Sequence, residues 1–176
     1  VPMGHEVAAT PIQMAMMMST VANDGKLMRP MLVHSLRDES GRVVVKYHSE
    51  SIRQVVSSET AAKVTEALKT VVGEGGTAKR ARMQYHTVAG KTGTAQKPGP
   101  GGYMPGKYYS SFVGFFPADE PALCILVGLD EPAGDYYGGL TAAPVFKAIA
   151  ERTASYLGIK PDLVEQGTVV SSREEP

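Results

Sequence analysis

Between residues 108 and 132 two strand-like runs, "YYSSFVGFFP" and "ALCILVGLDEP", are separated only by Ala118-Asp119-Glu120-Pro121. So short a gap forces the second run back beside the first. A parallel return would need a crossover of a dozen or more residues. Upstream, "HTVAGKTGTAQ" is extended and rich in β-branched residues, and a Pro/Gly-rich loop of mobile character (98–106) joins it to the first run. Three consecutive antiparallel strands are therefore expected. A helix follows, opening near Thr141 to Pro144 and running to Tyr156, with Gly158 and Pro161 as stop signals.

The N-terminal half supplies helices and a hairpin. In "TPIQMAMMMSTVANDG", Thr10 is placed to cap a helix, Pro11 takes its first position, and Gln13 completes a capping box. Asn23-Asp24-Gly25 ends it. Met14, Met17, Met18 and Val21 share one face and read as core rather than as a partner surface. "MLVHSLRDESGRVVVKY" reads as a hairpin turning on Asp38-Glu39-Ser40-Gly41. A second helix follows Ser57-Ser58 and is expected to turn Ala62, Val64, Ala67, Leu68, Val71 and Val72 inward. Gly73 and Gly75-Gly76 stop it. The whole is α+β, an antiparallel sheet flanked by helices. One unit is expected over residues 1–161, with a flexible tail over 162–176.

The 176 residues suffice for one domain with a core. Formal net charge is zero, so no broad field favours nucleic acid or an anionic membrane, and no nucleic-acid partner is expected. Cys124, the one cysteine, lies in the apolar run "ALCILVGL" and reads as a buried, inert thiol. No stretch reaches the length of a membrane-spanning helix, and none reads as a signal peptide. The chain begins at Val1-Pro2 and is expected to be a piece of something longer, anchored or exported by segments outside it.

Gly90-Lys91-Thr92-Gly93-Thr94 admits two readings. A phosphate-binding loop needs G-x-x-x-x-G-K-[ST] running into a helix. The first glycine would fall at position 85, which is Tyr85, and the Pro/Gly-rich run after Gln96 cannot be helical. The other reading is an exposed strand in a site that binds carboxylates and attacks acyl groups.

That strand, followed by two antiparallel strands and a helix, resembles the penicillin-recognising serine transferases, whose motifs are S-x-x-K, S-x-N and K-T-G. Five blocks resemble class B penicillin-binding proteins and come in that family's order: "VAATPIQMAMMMSTVANDGKLMRP", "AGKTGTAQK", "YSSFVGFFPADEP", "ILVGLDEP" and "YYGGLTAAPVFKAIAERTASYLGIKP". The likeness is strongest to the division-specific transpeptidases and implies the C-terminal portion of a transpeptidase fold like that of the serine β-lactamases. It implies catalytic roles for Lys91, as a fixed charge supporting the nucleophile's proton network, and for Thr94, whose N–H resembles an oxyanion-hole donor. It implies that the Thr92 and Thr94 hydroxyls bind the substrate carboxylate beside Gly93, where a bare Cα lets a ligand approach. It also implies that Tyr136 and Tyr137 line the substrate cleft; packing on a neighbour explains them equally well.

One departure is large. No serine of the chain heads an S-x-x-K or an S-x-N, so the resemblance implies a nucleophile upstream of Val1. It implies a D,D-transpeptidase that needs no metal or organic cofactor and acts on peptidoglycan stem peptides. Its other partners would be β-lactams, the N-terminal remainder of its own domain and division proteins, at the outer face of the cytoplasmic membrane. A non-catalytic module of the same fold, scaffolding division proteins, is the alternative.

Other candidates are weaker. His5, His34, His48 and His86 lack metal-ligand spacing, so no metal site is expected. Asp130-Glu131 reads as an acid/base pair or a solvated strand end. Tyr103, Tyr108 and Tyr109 either cover the site or anchor the loop.

Overall fold

The computed structural model describes residues 8–163. Helix α1 (Pro11–Ala22) begins at the expected cap. Thr10 Oγ1 accepts the Gln13 N–H at 3.3 Å, and Gln13 Oε1 accepts the Thr10 N–H at 2.8 Å. Two otherwise orphaned donors are thus satisfied. Thr10→Ala should therefore cost the full-length protein about 1 kcal/mol, read as a lowered denaturation midpoint. An unchanged midpoint would show that the cap is idle.

Two short ribbons follow. Strand β1 (Lys26–Met28) pairs antiparallel with β4 (Ser51–Gln54), and β2 (Ser35–Arg37) with β3 (Val43–Lys46). The second is the predicted hairpin. Its turn is held by Asp38, whose carboxylate accepts the Ser40 and Arg42 N–H groups at 2.9 and 3.0 Å. Helix α2 (Ser58–Thr70) is capped by Ser57 Oγ, which accepts the Thr60 N–H.

The main sheet has the order β5 (Ala89–Gly99), β6 (Gly102–Phe116), β7 (Leu123–Asp130), all antiparallel. Thr92 faces Phe112 and Thr94 faces Ser110 across β5–β6, and Phe112 faces Val127 across β6–β7. Helix α3 (Ala142–Leu157) ends at Gly158 in the left-handed conformation (φ 64°).

Strand period places alternate residues of the sheet on opposite faces, and both faces are covered. Phe112, Phe116, Val127 and the half-buried Leu123 and Ile125 pack with Phe146, Ala150 and Ala154 of α3. Val113, Phe115 and the half-buried Leu126 pack with Met18 of α1 on the other side. Phe112 and Phe146 meet edge to face at 4.7 Å. Strand β6 is the centre of the molecule, buried on both faces from Ser110 onward.

Several expectations need correction. Residues 98–106 are not a separate loop: β5 and β6 run on as a ribbon, with Pro98 opposite Tyr103 and Gly99 opposite Gly102. The register shifts between Gln96 and Pro98, and Gln96 Nε2 bridges the irregularity by donating to the Met104 carbonyl at 3.0 Å. Proline is tolerated there because β5 is an edge strand. The methionine face of α1 is only part core. Met18 is buried, whereas Met17 is 59% exposed, because the sheet meets α1 along a narrow seam. Helix α2 turns Ala61 and Leu68 inward, while Ala62, Val64 and Ala67 face out. It carries apolar residues on two sides, and packing against β5 selects one of them. The expected tail begins too early. Asp162 accepts the Thr87 N–H at 2.8 Å and the Thr87 hydroxyl, and its own N–H donates to the Tyr85 carbonyl. Residues 164–176 lie outside the described residues. No helix among the described residues is long and apolar enough to cross a membrane.

Candidate active-site strand

Lys91 lies inside strand β5, not at a helix N-terminus, which removes the phosphate-loop reading. Strand β5 has one neighbour, β6, so alternate backbone groups along its other edge have no strand partner among the described residues. An open groove of about 610 Å³ is lined by Lys91, by Thr70 and Val71 at the end of α2, and by the glycine-rich turn over residues 73–77. The Lys91 ammonium donates to the Thr92 carbonyl at 2.9 Å and forms no ion pair among the described residues. The other lysines nearby are neutralised. Lys97 lies 2.5 Å from Asp130 and 2.9 Å from Glu131, and Lys107 also pairs with Glu131. Hydrogen bonds from Lys107 and Lys97 hold the Glu131 carboxyl below its ordinary range. Asp130-Glu131 is thus a solvated ionic cluster at the end of β7, not an acid/base pair.

The two threonines turn away from Lys91, as strand alternation requires. The groove lining includes Lys91 and Thr77 but neither Thr92 nor Thr94. Thr92 Oγ1 lies 2.9 Å from Thr77 Oγ1, and Thr94 Oγ1 accepts the Gly138 N–H at 3.1 Å. Both threonines are half-buried. A Cβ on Gly93 would come 2.5 Å from Ser111 Oγ, which would have to turn aside.

The segment after β7 closes over this face. A Cβ on Gly138 would lie 2.3 Å from the Ser111 carbonyl oxygen and 2.5 Å from that of Gly93. On Gly139 it would lie 1.9 Å from the Thr77 carbonyl oxygen. Ser110 Oγ donates to the Tyr136 carbonyl, and Arg80 donates to the Leu140 carbonyl at 3.3 Å. Tyr136 stacks on Tyr108 with centroids 4.1 Å apart, and its hydroxyl donates to that of Tyr137 at 3.3 Å. The hydrogen bond with Tyr137 raises the Tyr136 pKa. Tyr137 is half-exposed beside it. Tyr109 packs over Gly128, and Tyr103 lies on the ribbon.

The remaining candidates fall elsewhere. His86 is buried, with Nε2 3.2 Å from the Ile159 carbonyl oxygen, and His34 and His48 are exposed. His5 lies outside the described residues. Among the described residues no three His, Cys, Asp or Glu side chains cluster as metal ligands. Burial pushes the Cys124 thiol up to about 11, so it stays protonated and unreactive at neutral pH. Sequence reasoning missed Thr77. The run Gly75-Gly76-Thr77-Ala78 reads as a helix stop, and the one available signal was a hydroxyl residue beside glycines, as at Thr92 and Thr94.

An edge strand carrying Lys-Thr-Gly-Thr, in an antiparallel sheet between helices, places the chain among α+β proteins built around such a strand. Comparisons identify which. Residues 1–151 match the penicillin binding protein transpeptidase domain family. Stage V sporulation protein D of Bacillus subtilis is 39% identical over 160 residues, covering 90% of this chain and 25% of that protein. Peptidoglycan D,D-transpeptidase FtsI of Buchnera aphidicola is 33% identical over 160 residues, covering 90% of this chain and 27% of that protein. Among solved structures, penicillin binding protein 3 of Mycobacterium tuberculosis superposes with a TM-score of 0.80 at 34% identity, over 96% of this chain and 40% of that one. The same protein has been solved with aztreonam and with ampicillin. The chain belongs to the penicillin-binding protein transpeptidase domain family, with class B members among its relatives. It spans about a quarter of the length of the curated relatives it matches.

Proposed function

We propose that this chain forms one wall of the active site of a serine-type peptidoglycan D,D-transpeptidase that serves cell division. The observation that supports the reading is the edge strand β5, where Lys91 lines an open groove and Thr92-Gly93-Thr94 follow it along the same strand. In the full-length protein a serine outside these residues attacks the carbonyl between the two terminal D-alanines of a stem peptide. The peptide bond breaks, the last D-alanine leaves with a proton, and an acyl-enzyme ester remains. An amine of a neighbouring stem then displaces the serine oxygen and forms the cross-link. Lys91, the cation of this strand without an ion pair among the described residues, draws the anionic substrate and favours the deprotonated nucleophile. The Thr94 N–H donates to the oxyanion of the tetrahedral intermediate. The Thr92 and Thr94 hydroxyls take the terminal carboxylate, and the exposed Tyr137 flanks it. A β-lactam enters the same site as an acyl donor. The enzyme acts at the outer face of the cytoplasmic membrane, and the remainder of its domain is this chain's first partner.

The full-length protein, incubated with benzylpenicillin, should gain the mass of one penicilloyl group on a serine outside the 176 residues. Peptide mapping of the adduct decides the matter. No adduct at all would favour the scaffolding alternative. An adduct on a serine of this chain would misplace the nucleophile.

A further inference from the structure

We infer that Thr77 is a positioning residue for carboxylate recognition: its hydroxyl donates to Thr92 Oγ1 and so turns the Thr92 proton toward an incoming carboxylate. The inference rests on the reading of β5 as the carboxylate-binding strand. A hydroxyl has one proton and two lone pairs, so each threonine must choose where its proton goes. At Thr94 the choice is made by its neighbour. The Gly138 N–H can only donate, and it donates to Thr94 Oγ1 at 3.1 Å, which leaves the Thr94 proton for a ligand. At Thr92 the neighbour is another hydroxyl, Thr77 Oγ1 at 2.9 Å, and either oxygen can be the donor. A carboxylate that accepts from Thr92 leaves one arrangement open, with Thr77 donating. Two parallel relays then converge on the anion, Gly138 through Thr94 and Thr77 through Thr92, and each first bond polarises the second.

The backbone around Thr77 is placed for this task. The Ala78 N–H donates to the Val71 carbonyl at 2.9 Å, and Ala78 and Ala81 are fully buried. The Thr77 carbonyl oxygen lies against Gly139, where no Cβ fits. Thr77 therefore presents its hydroxyl from a fixed backbone, tied to the same segment that supplies the Gly138 donor.

The test is acylation of the full-length protein by benzylpenicillin and by its methyl ester, which lacks the carboxylate charge. Thr77→Val removes the hydroxyl and nearly keeps the shape. It should reduce the acylation efficiency for the free acid about five-fold, the effect of one lost hydrogen bond, through weaker binding rather than a slower step at saturation. With the methyl ester it should match wild type. Thr77→Ser should restore the acid's rate, and T77V should add nothing in a Thr92→Val background. Thr77→Ala, run alongside, removes the hydroxyl without a replacement methyl and is held to the same outcomes if T77V does not fold. Wild-type kinetics in T77V, or equal losses for acid and ester, would overturn the inference. Absence of any wild-type acylation would overturn the functional reading, and this inference with it.

Discussion

Alanine at position 139 is expected to cut β-lactam acylation of the full-length protein by about five- to a hundred-fold and to lower stability by about 1–3 kcal/mol. The added Cβ would stand 1.9 Å from the Thr77 carbonyl oxygen and 3.0 Å from its carbon. Both atoms are backbone, so no side chain can swing aside. Either the segment after β7 lifts or the turn bearing Thr77 retreats. If the segment lifts, the Gly138 N–H leaves Thr94; if the turn retreats, Thr77 leaves Thr92. Each movement misplaces a hydroxyl needed at the carboxylate, and binding groups displaced by an ångström lose much of their effect. Gly138→Ala should behave alike, since its Cβ would meet two carbonyl oxygens. Acylation kinetics and melting temperature, measured on the same preparation, check this. A variant with wild-type values of both would show that the segment adapts freely and does not set the threonines.

The three strands of the main sheet and the β2–β3 hairpin were legible because each signal was local, whereas the β1–β4 ribbon, whose strands lie more than 20 residues apart, was not. A four-residue gap between two apolar runs dictates an antiparallel return, and the Thr-Pro-x-Gln start of α1 carries its own cap. The faces were less legible. Helix α2 has apolar residues on two sides, and nothing within Ser58–Thr70 says which side will meet β5. Met17 obeys the helical period and is exposed nonetheless, because period reports which residues share a face and not how wide the seam will be. The site divided in the same way. Lys91 to Thr94 stood out as a contiguous motif. Thr77 did not, since 15 residues separate it from its partner Thr92 and only the turn before β5 brings them together. Gly138 and Gly139 read as a turn, but what demands glycine there is the backbone of Thr77, Gly93 and Ser111 pressing against them, which appears only after folding.

The isolated 176-residue chain is expected to self-associate and to melt without a sharp transition. Its own sheet is well covered on both faces, but much else is not. Ile12 and Met17 of α1 are 49% and 59% exposed, and on the β2–β3 ribbon and just before it Val44 and Leu32 reach 65% and 94%. Two-stranded ribbons are marginal by themselves, and here both ribbons expose apolar residues. Among the described residues strands β5 and β7 each have one neighbour, so the sheet offers two edges to another chain. At about 25 cal/mol per Å², a few hundred Å² of apolar surface left in water forfeits several kcal/mol, comparable to the whole stability of a domain. Burial of that surface by a second copy, or by the rest of the full-length protein, recovers the loss. Size-exclusion chromatography with light scattering should show oligomers that grow with concentration, and scanning calorimetry a broad transition. Co-expression with the remainder of the transpeptidase domain should convert both to a single species with a cooperative melt. A monodisperse monomer of the isolated chain with a sharp melt would show that the exposed faces need no cover and that the core between α1 and α3 holds the chain by itself.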